Sequence, residues 1–315
     1  MNNKSISPRM DYDELDLMLV RELEVDARQT TRNLAAKLGV SITTVSNRIR
    51  RMVDAKAIAF CTISDPPSLG FEVRAVLGIK VTPGKSASVA KDLASCKNIQ
   101  TISLTSGRYD VVVYALLRDN HDLLNWVSGE LSRIANVISA EEMTILKLVK
   151  NSYMYLRGDT TLREEIVSRC LDESELKLIE QLELSPRESI SILGKKIGMS
   201  RQTTAKKLKA LLEEKIVRVV SIANLPAFGF VAGVYVFLRV QLDRAVSVAH
   251  TLAADTRITD VSIITGRFNL VLYMTFLNLK EMSRFLTDEL GNIPGIIDQE
   301  TMIQIGRPHL SFRLV

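Results

Sequence analysis

The chain has 315 residues, 46% of them hydrophobic, which exceeds the needs of one ordinary domain and suffices for compact cores rather than a disordered chain. A formal net charge of +5 and a pI of about 9.0 are modest, so the placement of the cations matters more than their sum. Cys61, Cys96 and Cys170 are far apart and odd in number, which argues against a disulfide framework and suits a reducing cytoplasm. The N-terminus MNNKSISPRMDYDE carries no apolar signal core, and the most apolar run, Phe228 to Leu238, is too short to span a bilayer. A cytoplasmic location and no membrane partner are therefore expected.

Before any element is assigned, the chain reads as one unit written twice. GVSITTVSNRIRRM, from Gly39, returns as GMSRQTTAKKLKAL, from Gly198, a displacement of 159 residues. Asp13, Leu17, Leu23, Arg28, Gly70, Phe71, Gly107, Tyr114 and Glu141 return at the same displacement as Asp172, Leu176, Leu182, Arg187, Gly229, Phe230, Gly266, Tyr273 and Glu300. The boundaries follow: a tail at 1–12, units at 13–63 and 64–156, a linker at 157–171, and the second pair at 172–222 and 223–315. The linker holds a turn at Gly158 and a weakly helical LREEIVSRC, and spans about 50 Å if extended, enough for two domains to pack side by side.

Taken in chain order, LDLMLVREL puts Leu15, Leu19 and Leu23 on one helix face, and RNLAAKLG gives a short helix ending at Gly39. Ser41 is a natural N-cap for a third helix whose Val45, Ile49, Met52 and Val53 form an apolar stripe, and Ser200 plays that part in the second copy. Helix, tight turn and capped helix make a helix-turn-helix, whose last helix can enter a major groove with its N-terminal half. Its free face offers Thr43, Thr44, Ser46, Asn47, Arg48, Arg50 and Arg51 in the first copy, and Arg201, Gln202, Thr203, Lys206, Lys207 and Lys209 in the second. Each stretch, Ser41 to Lys56 and Ser200 to Lys215, carries net charge +3. Thr43, Asn47, Gln202 and Lys206 are the candidates for base edges, and Arg48, Arg51, Lys207 and Lys209 for phosphates. The plainer reading is a solvated helix face, against which cap, turn and apolar spacing all weigh. The lysine-rich second copy lacks asparagine and looks more suited to phosphate than to bases.

After Asp65-Pro66-Pro67 the period becomes alternating, with Val73, Ala75, Leu77, Ile79 and Val81 on one face of a strand. KSASVAKDLASC then reads as a helix, IQTISLTS and YDVVVYALL as strands joined at Gly107, NHDLLNWVSGELSRI as a helix and VISAEEMTILKLV as a last strand. That order is βαββαβ, ferredoxin-like, and the second copy repeats it from VAGVYVFLRV to IIDQETMIQIG. A four-stranded sheet with both helices on one face leaves the other face needing cover, and the sister module, packed sheet to sheet, is the simplest cover. The expected class is α+β, with two winged-type helix-turn-helix heads and two ferredoxin-like modules in tandem.

Helix-turn-helix, strand hinge with Pro and Leu-Gly or Phe-Gly, and a βαββαβ module carrying Ser106-Gly107-Arg108-Tyr109-Asp110 together resemble the Lrp/AsnC family of regulators, over nearly the whole chain. Members of that family are typically single-copy and dimerise, so this chain resembles a fused form. The resemblance implies a small effector, usually an amino acid, bound near the glycine turn by Gly107, Arg108, Tyr109 and Asp110. In the second copy the pattern is Gly266-Arg267-Phe268-Asn269, which lacks phenol and carboxylate and would leave an effector ammonium without its charged partner. Both turns also fit a purely structural reading, in which glycine supplies positive φ and Asp110 or Asn269 closes the turn.

Trp126 reads as packing, and His121, His250 and His309 share no metal spacing. No catalytic constellation or phosphate loop is visible, so neither cofactor nor metal is expected. The leading expectation is a transcriptional regulator that binds double-stranded DNA and an amino acid-like effector, assembled as a homo-oligomer of intramolecular pseudo-dimers. Two alternatives stand beside it: a tandem enzyme resembling the sirohaem decarboxylases, and a ligand-sensing scaffold with one inactive head.

Overall fold

A computed structural model describes residues 12–163 and 169–315. The expected tail lies outside the described residues apart from Tyr12, as do positions 164–168 of the linker's helical stretch.

In the first repeat, α1 (Glu14–Val25), α2 (Thr31–Leu38) and α3 (Ile42–Asp54) lead into β1 (Ile58–Ser64). A polar side chain starts each helix: Asp13, Thr30 and Ser41 accept the amides of Asp16, Asn33 and Thr44. Then come β2 (Val73–Val81), α4 (Ser86–Leu93), β3 (Ile99–Ser106), β4 (Val111–Leu117), α5 (Asn120–Asn125) and β5 (Val137–Asn151). The second repeat gives α6 (Glu173–Leu184), α7 (Ile190–Ile197), α8 (Arg201–Glu213) and β6 (Val217–Ala223). It ends with β7 (Ala232–Val240), α9 (Ala245–Ala253), β8 (Ile258–Ile264), β9 (Leu270–Phe276), α10 (Leu279–Arg284) and β10 (Ile296–Leu310).

The long helix expected over 120–134 is short, because the chain widens into a π turn at Trp126–Glu130 and a 3-10 turn after it. The i→i+5 bond from the Leu131 amide to the Trp126 carbonyl stacks these two apolar residues, so both are buried. The same widening at Phe285–Glu289 buries Phe285 and Leu290.

Sheet-to-sheet packing is the expectation; the two sheets do face one another, but their edges pair as well. The strand order β10-β3-β4-β2-β5-β8-β9-β7 closes on itself, with β5–β8 and β10–β3 as the seams between repeats. Inside, Val76, Val112, Met143, Phe237, Val271 and Met302 form one core, while α4 and α9 pack on the outer faces. Closure leaves neither sheet with a free edge. Lys150 of β5, 1% exposed, donates to the Ala253 and Asp255 carbonyls at the end of α9, fixing a seam with a buried cation at a helix C-terminus.

The wing is also a correction. β1 pairs antiparallel with β6, Cys61 opposite Val220, so the two three-helix units share one ribbon and, among the described residues, neither has a wing hairpin of its own. Cross-repeat bonds lock it: Ala27 N–H donates to Val219 O (2.8 Å), Thr62 Oγ1 to Leu182 O (2.6 Å), and Arg28 to Pro186 O (2.7 Å) and Glu188 O (3.0 Å).

Candidate nucleic-acid interface and effector turns

Both candidate reading helices are seated by the same local chemistry. Val45, Ile49 and Met52 anchor α3, and Thr204, Leu208 and Leu211 anchor α8, which turns the opposite faces outward. Thr43, Asn47 and Arg50 are exposed on α3; Arg201, Gln202, Lys206 and Lys209 are exposed on α8. Thr44 is less available, because its hydroxyl pairs with the capping Ser41 at 2.8 Å.

The structure gives other partners to three of the four residues expected to touch phosphate. Arg48 binds the Asp13 carboxylate at 2.6 and 2.7 Å and Asp16 at 3.0 Å, while Arg51 binds Asp16 and lies over the Tyr12 ring at 5.5 Å. Lys207 pairs with Asp172 in the matching position. The bound cations hold the carboxyls of Asp13 and Asp172 below the usual carboxylate range. Lys209 meets Glu213 loosely at 3.6 Å, both exposed. In the second repeat Ala210 stands at the place of Arg51, and Arg169 from the linker takes over, binding Glu175 at 2.8 Å. The Arg48–Asp13, Arg51–Asp16 and Lys207–Asp172 pairs each join residues 35 apart, a spacing that no local pattern reveals.

The turn after β3 presses against β10 of the other repeat. Gly107 has φ +126°, and a Cβ there would meet Met302 Cγ at 3.1 Å and Thr301 O at 3.3 Å, so both backbone and space require glycine. Tyr109 is 4% exposed and points inward, its hydroxyl donating to Glu141 at 2.5 Å. Burial, and then the Glu141 partner, push its phenol well up. Asp110 accepts from Val81 N–H at 2.9 Å and from Lys80 Nζ at 3.0 Å. Asn269 does the same work without charge, accepting from Val240 N–H at 2.8 Å and donating to Val240 O at 2.7 Å. These contacts favour the structural reading for Tyr109 and Asp110. Arg108 and Arg267 remain at the surface and converge on Glu300, at 2.8 and 3.2 Å, beside Gly107 and Gly266.

Among the described residues no group of His, Cys, Asp and Glu could hold a metal ion, and no helix is long and apolar enough to cross a membrane.

A family model described as the AsnC-type helix-turn-helix domain matches residues 13–53, and one described as the Lrp/AsnC ligand binding domain matches twice, over 74–155 and 234–313. The HTH-type transcriptional regulator Ptr1 of Methanocaldococcus jannaschii is 31% identical over 140 residues, 44% of this chain and 95% of that protein. The HTH-type transcriptional regulator FL11 of Pyrococcus horikoshii is 30% identical over 145 residues, 46% of this chain and 95% of its own. Over 96% of this chain and 95% of the other, the solved sirohaem decarboxylase NirDL, in co-complex with an iron-uroporphyrin III analogue, superposes with a TM-score of 0.65 at 17% identity, a likeness of fold. With the ligand-binding module matched in both repeats, and regulators matched almost end to end within half its length, this chain belongs to the Lrp/AsnC family.

Proposed function

We propose that the chain is a sequence-specific regulator that grips double-stranded DNA with two heads and is modulated by a small effector. The observation that carries this reading is the pair of outward polar faces on α3 and α8, set on units bolted together by the β1–β6 ribbon. A rigid pair of heads selects half-site spacing, with successive major grooves about 34 Å apart, as well as sequence. The effector, of amino acid type, meets Gly107, Arg108, Gly266 and Arg267, and acts by preferring one arrangement of the modules over another. Lys206 and Gln202 stand free on α8, which favours two working heads over one.

The likeness to NirDL does not by itself carry decarboxylase chemistry across. His121 and His250 are exposed on α5 and α9, His309 faces the Ile99 carbonyl, and none of the three lines the clefts at the barrel mouth.

Genomic fragments captured by the protein, followed by fluorescence anisotropy at several salt concentrations, test the reading. Binding should weaken with log K falling about 0.9 per phosphate neutralised. Asn47→Ala should lose about 1–3 kcal/mol of sequence discrimination, and Lys209→Ala should weaken all sequences alike while lowering the salt slope by about one. Salt-insensitive binding, or none to any captured fragment, would end the regulator reading.

A further inference from the structure

Where each hinge strand meets the barrel mouth, the two repeats hold equivalent clefts with opposite contents. In the first, Arg74 of β2 lines the wall, and Arg163 of the linker reaches in to bind the buried Asp65 carboxylate at 2.8 Å. About 50 Å³ remains there. One repeat later, Gly233 stands for Arg74 and neutral Asn224 for Asp65, and a cleft of about 490 Å³ lies open. That volume falls in the range of small-molecule sites.

The lining of the open cleft specifies an occupant. On the polar side, Tyr273 donates to Gln304 at 2.8 Å and Gln304 donates to Ser103 at 2.6 Å, so these groups are already satisfied. Arg307, in place of Leu148 of the first repeat, has a neutral partner, the Tyr155 phenol, to which it donates. Its guanidinium faces the phenols of Tyr155 and Tyr273, and no described carboxylate pairs with it. Lys56 adds a second exposed cation at the rim. The apolar part of the lining is Leu225, Pro226, Phe230 and Ile305, the last 69% exposed. The lining contains neither Asp nor Glu, so an ammonium group would find no charged partner in it.

We propose that the second repeat's cleft is a binding site for a small carboxylate with an aromatic or branched apolar body and no ammonium group. The carboxylate pairs with Arg307, with Lys56 at the mouth, and the body covers Ile305 and Phe230. This site is separate from the glycine turns and prefers a different chemistry from an amino acid. Because Ala59, Ile222 and Ala223 of the ribbon form one wall, an occupant touches both the barrel and the element that joins the heads.

Calorimetry of the full chain without DNA, using 3-phenylpropionate as the probe and L-phenylalanine and 3-phenylpropan-1-ol as comparisons, tests the proposal independently of the heads. The acid should bind at one equivalent per chain, at least tenfold more tightly than either comparison. Arg307→Leu, the residue of the first repeat, should weaken it at least tenfold. Ile305→Glu places a repelling charge on an already exposed position, should give the same loss, and serves if the first variant does not fold. Absence of binding, two equivalents per chain, equal affinity for the alcohol, or indifference to Ile305→Glu would each overturn the site.

Discussion

Glu24 accepts backbone amides from Leu156 and Arg157, and one repeat later Glu183 accepts those of Leu314 and Val315. The seams match in the same way: Asp65 N–H donates to Ile216 O, and Asn224 N–H to Ala57 O, both at 2.8 Å. At the clefts the correspondence ends, with Arg74 against Gly233 and Leu148 against Arg307. The barrel interior diverges too: Gly78 leaves room for the Tyr109 ring, whose carbons lie 2.4 Å from where a Cβ would sit, while Phe237 packs beside Phe268. The backbone contacts that join repeat to repeat are the same in both halves, whereas the cleft linings and part of the barrel interior differ. The two halves share a scaffold but not a chemistry.

The strongest way to break this comparison is inside the barrel. Phe237→Ala removes a fully buried ring that has no equivalent at Gly78, and should lower unfolding free energy by about 3–5 kcal/mol in denaturant titrations. A smaller loss would mean that the halves do not share one core.

A second effect concerns pH. Burial raises the Glu24 carboxyl to about 7, outweighing the lowering by the amides of Leu156 and Arg157. A folded-state pKa above the unfolded value means that the folded protein binds more protons between roughly pH 4.5 and 7, so stability falls as pH rises through that window. Glu24→Gln should flatten the fall, which is on the order of 2–3 kcal/mol, while Glu183, raised in the same direction, leaves a residual slope. A steep slope unchanged by Glu24→Gln would assign it to Glu183 and to Asp260, which burial lifts to about 6.

The smallest effect compares the heads. Asp13→Asn and Asp172→Asn each keep an N-cap acceptor; the second releases Lys207, while the first leaves Arg48 held by Asp16 alone. Asp172→Asn should raise DNA affinity several-fold and steepen the salt slope by about 0.9, and Asp13→Asn should do so by less. Equal responses would mark the heads as equivalent; a response from one alone would identify the head that carries binding.

Much of this was legible in the sequence, because it depended on neighbours in the chain. Ser41 and Ser200 announce their helices, the alternation from Val73 marks β2, and the displacement of 159 exposes the duplication. What stayed hidden depends on partners far away. Nothing in IAFCTIS says that its partner is VRVVSIA, 159 residues on, so the ribbon could not be read and a wing was expected instead. The Arg48–Asp13 pair, the Arg163 plug and the edge seams are likewise products of folding. At Tyr109 and Asp110 the residue types suit a ligand, but the buried phenol donates to Glu141 and the carboxylate accepts from Val81 and Lys80, partners that no local pattern announces.

The seams β5–β8 and β10–β3 have a further consequence for how such a molecule can vary. In a symmetric dimer of separate chains every substitution at the interface enters twice and must tolerate its own mirror image. Covalent tandem copies escape that condition, since a change such as Leu148 to Arg307 is made on one side alone. The duplicated gene can thus explore asymmetric surfaces that a homodimer could reach only by recruiting a second, different subunit.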